Sequence, residues 1–180
     1  SVRVTYIPVS NYAGAVSAFR TRGLDLVWFG GLTGVQARLQ TPGSKIIAQR
    51  DIDRRFKSVF IANKKSNLSQ ISSYKDLSIL KGKRFTFGSE SSTSGRLMPQ
   101  YYIEKSGLKI NDFHRRSPGF SGSHDATIAL VQSGTYEAGA LNKQVWDANK
   151  KSKRLPTNNL DVIWVTPAYS DYHWLAQSNL

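Results

Sequence analysis

Apolar residues recur along this chain at two spacings, and the switches between them mark its elements. Val2, Val4 and Tyr6 alternate with polar residues toward Val9, which predicts a strand with one buried face, broken at Pro8 and Ser10. Tyr12, Val16 and Phe19 then recur at helical spacing up to Gly23. Leu24 to Phe29 is a nearly continuous apolar run ending at Gly30-Gly31, the pattern of a strand buried on both faces. A second helical run opens at Thr33, passes through Val35, Ala37 and Leu39, and stops at Pro42-Gly43; Ile46 to Ala48 reads as a short strand.

Phe56 to Ala62 is the next strand, and the polar segment Asn63 to Gln70 behind it suggests a boundary. Asp76-Leu77 and Leu80 to Lys83 predict a helix and turn, Arg84 to Phe87 a strand, and Arg96 to Lys105 a helix with Pro99 near its first turn and Gly107 beyond its end. The Gly/Ser loop Pro118 to Ser123 leads into a helix that opens at His124-Asp125 and runs to Gly134. Tyr136 to Leu141 reads as a strand, Asn142 to Lys150 as a helix, and Asp161 to Thr166 as a last strand before Pro167. Short strands alternating with helices predict an α/β fold with mainly parallel sheets. Ligands of such sheets sit beyond the carboxyl ends of the strands, which makes Phe29-Gly30-Gly31, Ser92-Thr93-Ser94 and Ser123-His124-Asp125 the candidate binding edges.

Composition narrows the chemistry. The chain has 180 residues, no Cys and a formal charge of +13. Disulfides, thiolate catalysis and cysteine metal sites are therefore excluded. No apolar run approaches the roughly 20 residues that cross a bilayer, and the first residues do not read as a signal peptide, so an export signal would lie outside this chain. The charge points to anionic partners. Its carriers, among them Arg54-Arg55, Lys64-Lys65, Lys81-Lys83-Arg84, Arg115-Arg116 and Lys150-Lys151-Lys153-Arg154, are short groups that also fit a solvated surface. A basic nucleic-acid-binding module stays open on this ground, since Arg54-Arg55-Phe56 and Lys83-Arg84-Phe85 set aromatic rings beside basic groups.

The stretch Gly88-Ser89-Glu90-Ser91-Ser92-Thr93-Ser94-Gly95 sits where a strand becomes a helix. The first N–H groups of a helix lack partners within it, the dipole adds partial positive charge, and hydroxyls supply further donors, so the stretch can bind an anion. It can equally be a helix cap. His124-Asp125 marks a second helix start: His124 could donate to an oxyanion, and Asp125 could accept from a protonated P–OH, or the two could simply cap the helix. A serine esterase or phosphatase built on Ser92 or Ser94 with His124 is the other alternative, without a G-x-S-x-G and with His124 and Asp125 adjacent, an arrangement poorly suited to a base and its buried partner. No cluster with metal-ligand spacing is present, and no catalytic residue, metal or cofactor is expected.

Tyr12 before a helix, Asp25 to Gly30, Leu80 to Lys83, Ser92 to Gly95 with Pro99, and Gly122 to Ala126, in this order, resemble the phosphonate/phosphite-binding solute receptors of ABC importers. The likeness covers nearly the whole chain, and the joint presence of Ser-Thr-Ser-Gly and His-Asp is its specific part. It implies a two-lobed periplasmic binding protein of type II, non-catalytic and monomeric, that closes on phosphite or a short alkylphosphonate such as methylphosphonate and delivers it to a membrane permease, with no specific nucleic-acid partner. The resemblance divides the chain into a discontinuous first lobe, 1–55 with 167–180, crossover strands at 56–62 and 161–166, and a second lobe, 63–160. It assigns ligand contacts to Ser92, Thr93, Ser94, His124 and Asp125 in the second lobe, to Tyr12, Trp28, Asp171 and Tyr172 in the first, and to Phe56 at the start of the first crossover. Phe56 stands where aminoalkylphosphonate binders tend to carry Tyr, so one hydroxyl is lost there. Set against the family pattern, the chain is also short of the first strand-helix unit and the C-terminal helices, so the resemblance implies a fragment truncated at both ends.

Overall fold

The structure, a computed structural model, describes residues 3–180. Its contacts divide the chain into two compact units, Ser1–Arg55 with Ser170–Leu180, and Phe56–Tyr169.

The first unit is built on three short strands. Helix α1 (Tyr12–Arg20) leads to β1 (Leu26–Phe29), α2 (Gly31–Gln40) and β2 (Lys45–Ala48), and the returning segment forms β8 (His173–Ala176). Strand β8 lies between β1 and β2 and is antiparallel to both, with Leu26 opposite Ala176 and Phe29 opposite His173. Asn11 caps α1 by accepting from the Gly14 N–H at 2.8 Å. One face of the sheet meets the helices in a cluster of Val16, Phe19, Phe29, Ala37 and Leu175.

Two expectations fail in this unit. Residues 3–9 form no strand, and Val4 and Tyr6 are 87% and 86% exposed; alternation yields a strand only where an edge is there to pair with. Val2 lies outside the described residues. The run Leu24 to Phe29 is not buried on both faces: side chains of a strand alternate, Val27 and Phe29 meet the helices, and Leu26 is left 41% exposed.

The second unit has a five-stranded sheet in the order β5-β4-β6-β3-β7. The strands are β3 (Ser58–Asn63), β4 (Phe85–Phe87), β5 (Gly119–Phe120), β6 (Ala138–Asn142) and β7 (Leu160–Val165). Four run in one direction, and β3 is antiparallel to its neighbours β6 and β7. Helices α3 (Met98–Lys105), α4 (His124–Gln132) and α5 (Lys143–Ser152) complete it. Alternation along β3 feeds two cores: Phe60 meets Leu77, Leu80, Phe85, Ile103 and Trp164, whereas Val59 and Ile61 meet Ile128, Val131, Leu141 and Trp146. Every residue of β3 is buried.

The segments read as crossovers, 56–62 and 161–166, are here paired strands of the second unit's own sheet. That unit runs on to Tyr169, because Phe56 and Tyr169 exchange both backbone hydrogen bonds, 2.9 and 3.0 Å, and extend the ladder past Pro167. The helix expected near Asp76 is a 3-10 turn, Tyr74–Leu80; the two-residue β5 is too short to show a period, and β8 was not among the expected strands.

Candidate functional site

In the second unit, β4 ends at Phe87 and the chain turns through Gly88 into a π-helical turn, Thr93–Leu97, that runs directly into α3. The Arg96 and Leu97 N–H groups both donate to the Ser92 carbonyl, at 3.1 and 3.0 Å, which widens the turn beyond an α-helix. Ser92 Oγ accepts from the Gly95 N–H at 2.9 Å, so Ser92 serves as the cap that its sequence position allowed. Ser94 is held through its backbone: its carbonyl accepts from Ser58 Oγ at 2.7 Å, and Ser58 Oγ also shares a hydrogen bond of 2.7 Å with the Tyr169 hydroxyl. The Ser94 hydroxyl is different, since it is buried and has no hydrogen-bond partner among the described residues.

The His124 ring lies against this turn. A Cβ placed on Gly95 would meet Ser92 Oγ at 3.0 Å and His124 Cε1 at 3.1 Å, so only glycine lets ring and turn approach so closely. His124 opens α4 behind its cap Ser123, which places its side chain beside α4's unpaired amides. Burial holds its pKa down to about 4, against a smaller opposing pull from Asp125. The neutral ring accepts at Nδ1 from the Asn142 N–H at 3.4 Å, which leaves the proton on Nε2 and makes that atom a donor. A neutral donor, a buried hydroxyl and helix-start amides form a dipolar site for an oxyanion, one that needs no lysine.

Asp125 follows His124 in the chain, and its carboxylate pairs with Arg154 at 2.5 Å in a half-exposed ion pair. The same geometry removes the esterase arrangement, because His124 Nδ1 faces a backbone amide and Asp125 faces Arg154, leaving no Ser-His-Asp relay. Phe56 is buried at the start of the β3–β7 pairing, its ring 6.1 Å from that of Tyr169.

In the first unit the other four candidates lie together. The Tyr12 and Tyr172 hydroxyls share a hydrogen bond of 3.0 Å, and the Tyr172 ring stacks on Trp28 at 5.7 Å and 15°. Asp171 is buried and accepts at Oδ1 from the Gly31 N–H at 2.8 Å, at the start of α2, where the helix dipole favours a carboxylate. Phe29, next to Trp28, packs edge-on against Phe19 at 5.6 Å and belongs to the core.

The family described as "ABC transporter, phosphonate, periplasmic substrate-binding protein" matches residues 1–180. The chain belongs to that family. Over 179 residues it is 63% identical to the "Probable ABC transporter phosphite binding protein PhnD1" of Prochlorococcus marinus (strain MIT 9301), a match that takes in 99% of this chain and 60% of that protein. The crystal structure of PhnD1 in complex with methylphosphonate superposes with a TM-score of 0.94 at 62% identity, over 97% of this chain and 64% of that one. The "Phosphonates-binding periplasmic protein" of Escherichia coli (strain K12) is 29% identical over 172 residues, 92% of this chain and 48% of that protein. The chain thus spans between about half and two thirds of the length of these relatives. The α/β fold expected from the alternating elements and the type II periplasmic-binding-protein fold implied by the resemblance are both borne out by these structural relatives.

Reading the sequence as a member of this family still missed the residues that hold the site in place. Ser58 and Tyr169 anchor Ser94, Asn142 sets the His124 tautomer, and Arg154 takes Asp125. Each lies at least 18 residues from what it holds, and no local pattern signals such a pairing. Tyr169, placed just after a predicted strand and Pro167, was the one with a usable signal.

Proposed function

We propose that this chain binds a small phosphorus oxyanion, phosphite or a short alkylphosphonate such as methylphosphonate, in the periplasm for an ABC importer, and that it does so without turnover. The single observation that carries the reading is the Ser94 hydroxyl: a buried donor with no protein partner costs stability unless a ligand takes it up. Around it, the Nε2–H of His124, the Ser92 and Thr93 hydroxyls and the amides of the turn give the donor set that a tetrahedral anion requires. The family match and the 63% identity to a protein named for phosphite binding support the choice of phosphorus over other anions. Tyr12, Trp28, Asp171 and Tyr172 enter the proposal as the first unit's contribution, an aromatic wall that favours a small substituent. A hinge through the paired strands β3 and β7 is likewise proposed, as is a monomeric receptor that delivers its ligand to a membrane permease.

Calorimetric titration of the full-length protein tests this. Phosphite or methylphosphonate should bind tightly, and Ser94→Ala should weaken binding by about 1–3 kcal/mol while the thermal midpoint of the free protein holds. Failure to bind any phosphorus oxyanion, together with tight binding of sulfate or an amino acid, would overturn the function. A fallen midpoint with intact affinity would make Ser94 a scaffold residue.

A further inference from the structure

The aromatic wall of the first unit has a foundation that the sequence did not announce. Arg50 makes a two-pronged ion pair with Asp53, Nε to Oδ2 at 2.6 Å and Nη2 to Oδ1 at 2.8 Å. Asp53 is fully buried although its partner's side chain is half exposed, so the carboxylate ties the guanidinium down: an unpaired buried charge is far more costly than the entropy of one ordered Arg. The Asp53 backbone is fixed as well, its N–H donating to the Arg50 carbonyl at 3.0 Å and its carbonyl accepting from the Asp171 N–H at 2.9 Å.

The guanidinium so held lies over Trp28, with Cζ 4.7 Å from the ring centroid. A planar cation at that distance attracts the negative face of an indole, and Arg does so with a flat, directional group that Lys lacks. Trp28 in turn stacks on Tyr172, whose carbonyl accepts from Gln49 Nε2 at 2.9 Å and whose hydroxyl meets Tyr12. A continuous row therefore runs from Asp53 through Arg50 and Trp28 to Tyr172 and Tyr12. Its anchor is an ion pair, and its far end is the set of aromatic groups assigned to the ligand.

We propose that Arg50 is a positioning residue that sets how bulky a phosphorus substituent the protein accepts, by holding Trp28 against Tyr172. This rests on the functional reading above for its ligand, but not for its mechanics. An indole held by a tethered cation resists the shift that a longer alkyl chain requires, whereas an indole released from Arg50 can move.

Two measurements on the full-length protein separate the parts. Without ligand, the indole N–H resonance of Trp28, assigned through Trp28→Phe, should shift or broaden in Arg50→Met and be only partly restored in Arg50→Lys. An unchanged resonance in Arg50→Met sinks the proposal whatever the protein binds. With ligand, the ratio of the ethylphosphonate Kd to the methylphosphonate Kd should fall at least about fivefold in Arg50→Met, while the phosphite Kd changes less than about threefold, since a tenfold change corresponds to ~1.4 kcal/mol, the scale of one cation–π contact. An unchanged ratio, or an equal loss for all three ligands, would also overturn it. If the wild type binds none of the three but the indole responds to Arg50→Met, the functional reading falls and the positioning role stands. The double variant Arg50→Met/Asp53→Asn removes the buried charge with its partner, so it takes over both measurements if the single variant does not fold.

Discussion

The two units solve the same problem, holding a few polar groups still, by different means. In the second unit the central strand β3 is buried along its whole length and a core lies on each of its faces. Its first residue, Ser58, hydrogen-bonds the backbone of Ser94, so the candidate turn is anchored to a fully buried strand of the sheet. In the first unit every residue of β2 is exposed, a single core lies on one face, and Leu26 and Trp174 remain in part open on the other. There the candidate residues are held by one another, ring on ring and ion pair on ring. A well-covered sheet can position a site through its backbone; a thinly covered one depends on side-chain contacts, which can be altered one at a time.

The sharpest way to break this contrast is to attack the two sheets equally. Phe60→Ala empties a fully buried position in β3 and should cost the second unit about 3–5 kcal/mol in chemical denaturation followed by circular dichroism. A loss below ~1 kcal/mol would mean that the sheet is not the anchor described here.

Acid should act on the second unit next most strongly. His124 titrates at about 4 in the folded protein, below its ordinary 6.5, so the unfolded chain takes up a proton first as the pH drops. Its contribution is complete above pH 6.5 and is lost as the pH falls toward 4, amounting to about 2 kcal/mol between pH 7 and pH 5. The pH dependence of unfolding should therefore be flatter by that amount over this window in His124→Gln. Equal slopes would mean that the imidazole is not buried in its neutral form. Over the same range the imidazole itself should add no pH dependence to binding beyond that of the ligand's own ionisation, because the donor at Nε2 needs no added proton.

The smallest effect is expected in the first unit. Ile47→Ala in β2 removes a side chain that is 56% exposed and should change stability by less than ~0.5 kcal/mol. A loss approaching that of Phe60→Ala would show that Ile47 is covered, and the contrast between the sheets would have to be redrawn.

How far the sequence could be read follows the same division. Phe56 to Ala62 read only as a strand, and β3 is buried on both faces, whereas Leu24 to Phe29, the run that read as buried on both faces, is covered on one face only. A run of apolar residues reports what the chain can bury, and the helices available decide what is buried. The Ser-Thr-Ser turn and the His at the start of α4 were visible because capping and helix-start chemistry are local. The Arg154 partner of Asp125 was hidden for the opposite reason: it lies 29 residues away in the chain.

By itself, then, the sequence determined the alternation of strands and helices, the two helix starts rich in hydrogen-bond donors, and, through their order, the family. These depend on neighbours within a few turns of chain, where spacing and side-chain type act directly. Only the tertiary structure decided that Ser92 is a cap while the buried Ser94 hydroxyl has no partner among the described residues, that burial holds the His124 pKa down, and that Arg50 lies over Trp28. Each of these depends on burial and on partners brought in from distant parts of the chain, and such partners become neighbours only when the sheets form.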